Sequence, residues 1–305
     1  MADKSRSTAS KEQSLKLKIG DPLVLTKSLQ PGRLARYDDG GQLLRPAQIG
    51  VSQIEFFDSV RPGEPIWLDD GKIGGVIRKV TSNAVQIEVT QARPSGEKLG
   101  PGKGINVPES VLRISSLTKS DRKALAFIVK NADIVGYSFV RTAEDVLELQ
   151  SQLIALGARE TLGIILKIET REGFNQLPRL LLAAMRNPAI GVMIARGDLA
   201  VECGYQRLAE VQEEILWICE AAHVPVIWAT QVLESLAKNG IPSRSEITDA
   251  AMGERAECVM LNKGPYIVTA VRSLADILRR MQAHHQKKRS MLRKLHLADA
   301  FHVTA

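Results

Sequence analysis

Apolar and polar residues alternate in short runs through the first third of the chain and in longer blocks after it. Pro-Leu-Val-Leu-Thr at 22–26, Gln48 to Val51, Pro65 to Leu68, Ile73 to Lys79 and Ala84 to Val89 read as short strands. Turn-forming pairs separate them: Pro31-Gly32, Gly40-Gly41, Pro62-Gly63, Asp70-Gly71 and Pro101-Gly102. Punctuation at that interval, with no long amphipathic helix between, predicts a small all-β domain over residues 19–115. Residues 1–18 are rich in Ser and Lys and are expected to form a flexible leader.

The texture changes near Leu117. Thr118, with Asp121 three residues later, is a loose capping pattern that starts a helix. Strands are predicted at Ile134–Val140, Leu162–Ile168, Gly191–Ala195, Pro225–Thr230 and Cys258–Leu261. Helices are predicted at Ala143–Leu156, Phe174–Met185, Leu208–Ala222, Ser245–Gly253 and Tyr266–Gln286. Val- and Ile-rich strands that alternate with helices mean an α/β fold of parallel βα units, five of them, over 116–286. In such folds the chemistry gathers at the C-terminal ends of the strands.

Composition narrows the class. The 305 residues, 44% of them hydrophobic, suffice for about two domains. The formal net charge of +7 invites a nucleic-acid partner. Its distribution argues against one. Residues 1–18 hold five basic and two acidic residues, Arg279 to Ala305 hold seven and one, and the body between is slightly acidic. Residues 287–305 are therefore expected to be a basic C-terminal tail. No run of 18 uncharged apolar residues occurs, so no membrane span is expected. Cys203, Cys219 and Cys258 are too few and too widely spaced for a disulfide framework or a zinc site. Reduced cysteines and a cytoplasmic setting are expected.

Three consecutive strand ends break the apolar pattern. Gly163-Ile-Ile-Leu-Lys-Ile-Glu169 puts Lys167 and Glu169 on one side of a strand. They could form a plain ion pair or share a pocket mouth. The next strand runs into Ala195-Arg196-Gly197-Asp198. Gly197 would let a loop bring its N–H groups close to an anion. Asp198 could be a helix N-cap, or a second carboxylate beside Glu169. Magnesium takes one or two carboxylates plus substrate oxygens and water, so the pair suits it. The third strand ends in Thr230 and Gln231.

These segments resemble pyruvate kinases in order and spacing. The resemblance rests on Lys167-Ile-Glu169, Met193-Ile-Ala-Arg-Gly-Asp-Leu199, Ala229-Thr-Gln-Val-Leu-Glu-Ser235 and Pro242-Ser-Arg-Ser-Glu246. Upstream it includes Trp67-Leu-Asp-Asp-Gly-Lys-Ile73, Gly102-Lys-Gly-Ile-Asn106, Leu117-Thr-Lys-Ser-Asp121 and Ser138-Phe-Val-Arg141. It implies a partial TIM-type (β/α) barrel preceded by a small lid-like β-domain. It implies transfer of phosphate from phosphoenolpyruvate to ADP in glycolysis. Lys167 would neutralise the phosphoryl group, and Glu169 and Asp198 would hold Mg2+ or Mn2+. Backbone N–H groups around Ala195, Arg196 and Gly197 would bind the substrate carboxylate. Thr230 would stand near the methylene carbon that is protonated as pyruvate forms. Lys103 would approach the nucleotide phosphates, and Asp69 and Asp70 would lie in the loop that moves with lid closure.

The sequence departs from the family in three places. The barrel strands that precede the β-domain in the family are expected to be absent, and with them the arginine for the transferring phosphate and the usual ligands of K+. Met260-Leu-Asn-Lys-Gly-Pro-Tyr266 stands where the family has a Ser-Gly-Glu-Thr loop. The family's C-terminal α/β domain is expected to be missing. The reading is thus of a truncated or divergent member, and the unpaired barrel edges make a homo-oligomer expected. Two other functions stay open: a metal-dependent keto-acid lyase or aldolase, and a non-catalytic binding or regulatory protein.

Overall fold

The computed structural model describes residues 14–110 and 116–285. The chain divides between residues 114 and 115 into two compact units.

The first unit holds β1 (Leu15–Leu17), β2 (Pro22–Thr26), β3 (Arg36–Tyr37), β4 (Leu43–Arg45) and β5 (Ala47–Gly50). It continues through α1 (Phe56–Ser59), β6 (Pro65–Leu68), β7 (Ile73–Val80), β8 (Ala84–Gln91), β9 (Glu97–Leu99) and β10 (Ile105–Asn106). Six strands form one sheet in the order β10-β6-β7-β8-β2-β5, antiparallel except where β2 meets β5. Period-two alternation buries Leu23 and Leu25 of β2, Ile66 and Leu68 of β6, and Val85, Ile87 and Val89 of β8. Gly74 of β7 crosses the Trp67 ring so closely that an added Cβ would lie 2.6 Å from a ring carbon.

The expected leader needs correction. Leu15–Leu17 is a strand that pairs antiparallel with β9, Leu15 opposite Leu99 and Leu17 opposite Glu97. Leu15 and Leu17 are fully buried in the core of this unit. Two leucines two apart were enough to mark a strand, but the charged neighbours Lys16 and Lys18 hid it. The rest of the expected leader, residues 1–13, lies outside the described residues, as does the expected basic tail.

The second unit runs α2 (Lys119–Asn131), β11 (Ile134–Tyr137), α3 (Ala143–Ala155), β12 (Gly163–Ile168), α4 (Arg171–Asn175), α5 (Leu177–Ala184) and β13 (Ile190–Ala195). It continues through α6 (Arg196–Cys203), α7 (Leu208–Ala221), β14 (Val226–Ala229), α8 (Glu234–Asn239), α9 (Arg244–Met252), β15 (Cys258–Val259) and α10 (Ile267–His285). The five strands pair in parallel, in chain order, as a curled half-barrel sheet. Capping boxes start α2 (Thr118 with Asp121), α3 (Thr142 with Asp145) and α9 (Ser243 with Glu246). Val135, Tyr137, Ile164, Leu166, Ile168, Val192, Ile194, Val226 and Trp228 face the helices and carry the core. Residues of opposite parity, Lys167 among them, lie on the other face of the sheet. Among the described residues, no helix is long and apolar enough to cross a membrane.

Leu17→Ala is expected to destabilise the first unit by about 2–5 kcal/mol, since it removes a fully buried side chain. Urea unfolding followed by circular dichroism measures this; a loss near zero would mean that β1 does not belong to the core.

Candidate functional site

Strands β11 to β14 end side by side, so residues just past each end become neighbours. Glu169 follows β12 and is 3% exposed. Lys167 Nζ lies 2.8 Å from Glu169 Oε1 and donates to Ser138 Oγ at 2.7 Å. The backbone N–H of Phe139 donates to Glu169 Oε2 at 2.5 Å. A buried carboxylate without such partners would be costly; here each oxygen is answered. The predicted strand Ile134–Val140 ends earlier, at Tyr137, because Phe139 turns to φ 54°. That left-handed conformation costs a bulky residue about 1–3 kcal/mol. The same residue gives its N–H to Glu169.

The end of β13 behaves differently from expectation. No loop follows it. Helix α6 begins at once, with Ala195 at the N-cap position and Arg196 as its first residue. Gly197 is therefore a residue of the first helical turn, not of a loop. Asp198 is the third helical residue and not the N-cap; a carboxylate there favours the positive end of the helix. A Cβ on Gly197 would meet Gln231 Nε2 at 3.6 Å and Thr230 Oγ1 at 3.7 Å, ordinary contacts. Nothing in the chain's own packing demands glycine, which leaves open a small space beside Thr230.

The Arg196 side chain is buried. Its Nε donates to the Ala229 carbonyl at 2.8 Å and one terminal nitrogen to the Thr230 carbonyl at 2.5 Å. The other terminal nitrogen pairs with Asp249 of α9. The guanidinium stands over the Trp228 ring, 4.7 Å from its centroid. Thr230 Oγ1 accepts the Gly197 N–H at 2.9 Å. Thr230, Gln231 and Leu233 all adopt left-handed backbone angles (φ 65°, 58° and 46°), and the predicted strand Pro225–Thr230 stops at Ala229 for that reason.

Lys103 belongs to the first unit. Asp69 and Asp70 occupy the turn between β6 and β7 with φ 52° and 54°. Asp69 is buried and Asp70 exposed. The Asp69 carboxylate meets Lys103 Nζ at 2.9 Å and Lys72 Nζ at 3.1 Å. Burial pushes its pKa up, but the hydrogen bonds and charges of Lys103 and Lys72 outweigh that and hold it below the ordinary value. The hydrogen bond to Asp69 and its charge raise the pKa of Lys103 in turn. A cavity of about 710 Å3 in this unit has Lys103 in its wall beside Leu29, Ile49, Phe56 and Ile105. None of the strand-end residues lines it.

The structure thus brings together Lys167 with Glu169, and Arg196 and Gly197 with Thr230. Ser138 and Phe139, and Thr248-Asp249, belong to the segments that resemble the family but carry no role from the sequence. Ser138 was accessible by the same strand-end rule that found Lys167. The pairing of Asp249 with Arg196 was not, because α7, β14 and α8 lie between them in the chain and they meet only in three dimensions. Among the described residues, no group of three or more His, Cys, Asp or Glu side chains could hold a metal by themselves. A magnesium site would draw on substrate oxygens and water in addition to protein carboxylates.

The family described as pyruvate kinase, barrel domain, matches residues 6–271. Pyruvate kinase 2 of Candida glabrata is 35% identical over 225 residues, 71% of this chain and 42% of that protein. Pyruvate kinase of Clostridium acetobutylicum is 30% identical over 292 residues, 91% of this chain and 60% of that protein. Pyruvate kinase of Geobacillus stearothermophilus is 33% identical over 276 residues, 88% and 44%. The chain therefore spans between 42% and 60% of the length of these relatives.

The Asp69 pKa gives a signed prediction. A carboxyl whose folded pKa is depressed adds stability that is complete above the ordinary value of 3.8 and is lost as pH falls below it. Asp69→Asn should cost on the order of 1 kcal/mol at neutral pH. The gap to the unaltered chain should close in acid. Urea unfolding across that pH range checks it; a gap that stays constant or widens in acid would contradict the assignment.

Proposed function

Because the chain belongs to the pyruvate kinase family, we propose that it transfers the phosphoryl group of phosphoenolpyruvate to ADP, giving pyruvate and ATP. Phosphoryl transfer asks a protein for charge neutralisation and alignment more than for covalent chemistry. The observation that carries the reading is the Lys167 ammonium, held between Glu169 and Ser138 at the end of a parallel strand. Its position is defined by two partners, so it can meet developing negative charge without reorganising.

The other roles follow the strand ends. Glu169 and Asp198 are the residues that would hold Mg2+ or Mn2+. Their fit rests on donor chemistry: two hard oxygen ligands that flank adjacent parallel strands β12 and β13. The metal, when bound, supplies positive charge for the phosphoryl and enolate oxygens. Ala195, Arg196 and Gly197 open helix α6; Thr230 Oγ1 takes the Gly197 N–H, and the other first-turn N–H groups, which have no acceptor within the helix, favour a carboxylate. The space left by the missing Cβ of Gly197 lets that carboxylate approach the backbone. Thr230, at the edge of that space, stands near the methylene carbon. Lys103 serves the nucleotide phosphates, and its pairing with Asp69 keeps its charge in place until they bind.

A coupled assay with phosphoenolpyruvate and ADP should yield pyruvate and ATP only when magnesium is supplied. Lys167→Met should reduce turnover on the order of a thousandfold, the scale of losing one preorganised group that answers transition-state charge. A folded, soluble chain that binds oxalate and metal but never turns over would overturn the catalytic reading and leave a binding role. Binding of a keto acid with no binding of ADP would point instead to lyase chemistry.

A further inference from the structure

We propose that Arg196 is a positioning residue: together with Asp249 it holds Thr230 in the left-handed conformation that sets its hydroxyl against the Gly197 amide. The importance of that conformation for turnover rests on the reading of Thr230 as the residue at the substrate's methylene carbon.

The argument starts from orphan backbone groups. Strand β14 stops at Ala229, and the chain then turns through left-handed angles at Thr230 and Gln231. A β-branched residue enters that region only when its surroundings hold it there. The Arg196 guanidinium does so by taking the Ala229 and Thr230 carbonyls together. Its charge is answered by Asp249, and its face rests on Trp228.

The same residue then acts on the start of α6. Gly197 is the second residue of that helix, so its N–H has no acceptor within the helix. Thr230 Oγ1 supplies one at 2.9 Å. Arg196 and Gly197 are neighbours in sequence, and both reach across to Thr230, one to its carbonyl and one to its hydroxyl. The orientation of the threonine is therefore tied to the helix start at two points. Lysine could not reproduce the arrangement, since a single ammonium lacks the planar fork that spans two carbonyls and a carboxylate while stacking on a ring.

Hydrogen exchange at the Gly197 amide, resolved by NMR of the full chain, reads this arrangement without any catalysis. In Arg196→Lys that amide should exchange at least about tenfold faster, while amides in the middle of α7 keep their rates. Thr230→Ala should give the same acceleration, and Thr230→Ser should restore protection. An Arg196→Lys chain with unchanged Gly197 exchange would overturn the proposal. Should Arg196→Lys fail to fold, Asp249→Asn is measured in its place, with the same expectation. Turnover adds a second arm: Arg196→Lys should lower kcat on the order of a hundredfold, the scale of small misplacements near a reacting group. In a Thr230→Ala background the same change should cost less than about twofold, because its effect passes through Thr230. Additive losses would mean a merely structural arginine and would overturn the proposal. If the unaltered chain shows no turnover, the kinase reading falls, and the exchange measurement still decides the role of Arg196.

Discussion

A carboxylate this deeply buried persists at the end of a parallel sheet only when both its oxygens are answered. Glu169 meets that requirement with the Lys167 ammonium on one side and the Phe139 amide on the other. The requirement reaches outward. It fixes the Lys167 head group, which also meets Ser138, and it draws on the amide of Phe139, a residue with a left-handed backbone angle. Two strands, β11 and β12, must be in register for any of this to occur, and their pairing of Tyr137 with Leu166 provides it.

The second pair of strand ends solves a related problem by another route. Where β12 buries an acid, β13 leads into a buried base. The Arg196 guanidinium is matched by one carboxylate, two carbonyls and an indole face. In both places left-handed residues sit where the strand stops, and the contacts that offset their strain come from the neighbouring strand end. Strain so placed keeps polar groups oriented before any ligand arrives, which is the condition for electrostatic stabilisation of a charged transition state.

The first unit carries its own charged node. Asp69, buried under two lysines, ties the β6–β7 turn to the loop that bears Lys103. The backbone N–H of Asp69 donates to the Gly104 carbonyl, which adds a second tie between the same two segments. The sequence left Asp69 and Asp70 equivalent. Burial separates them, because only Asp69 points where two ammonium groups can reach it.

Periodicity alone determined a great deal. The five βα units and the main strands of the first unit stand within a few residues of where alternation and turn residues placed them, because burial on one face leaves a regular mark on the chain. The strand-end rule singled out Lys167, Glu169, Arg196, Asp198 and Thr230 for the same reason: polar residues that interrupt an apolar strand are conspicuous. What only the tertiary structure decided was partnership. That Leu15–Leu17 is core depends on a strand 80 residues on, that α6 starts without a loop depends on the backbone angle at Ala195, and that Asp249 serves Arg196 depends on how α9 packs. Contacts between elements far apart in the chain leave no period behind, so they are decided only when the sheet brings its ends together.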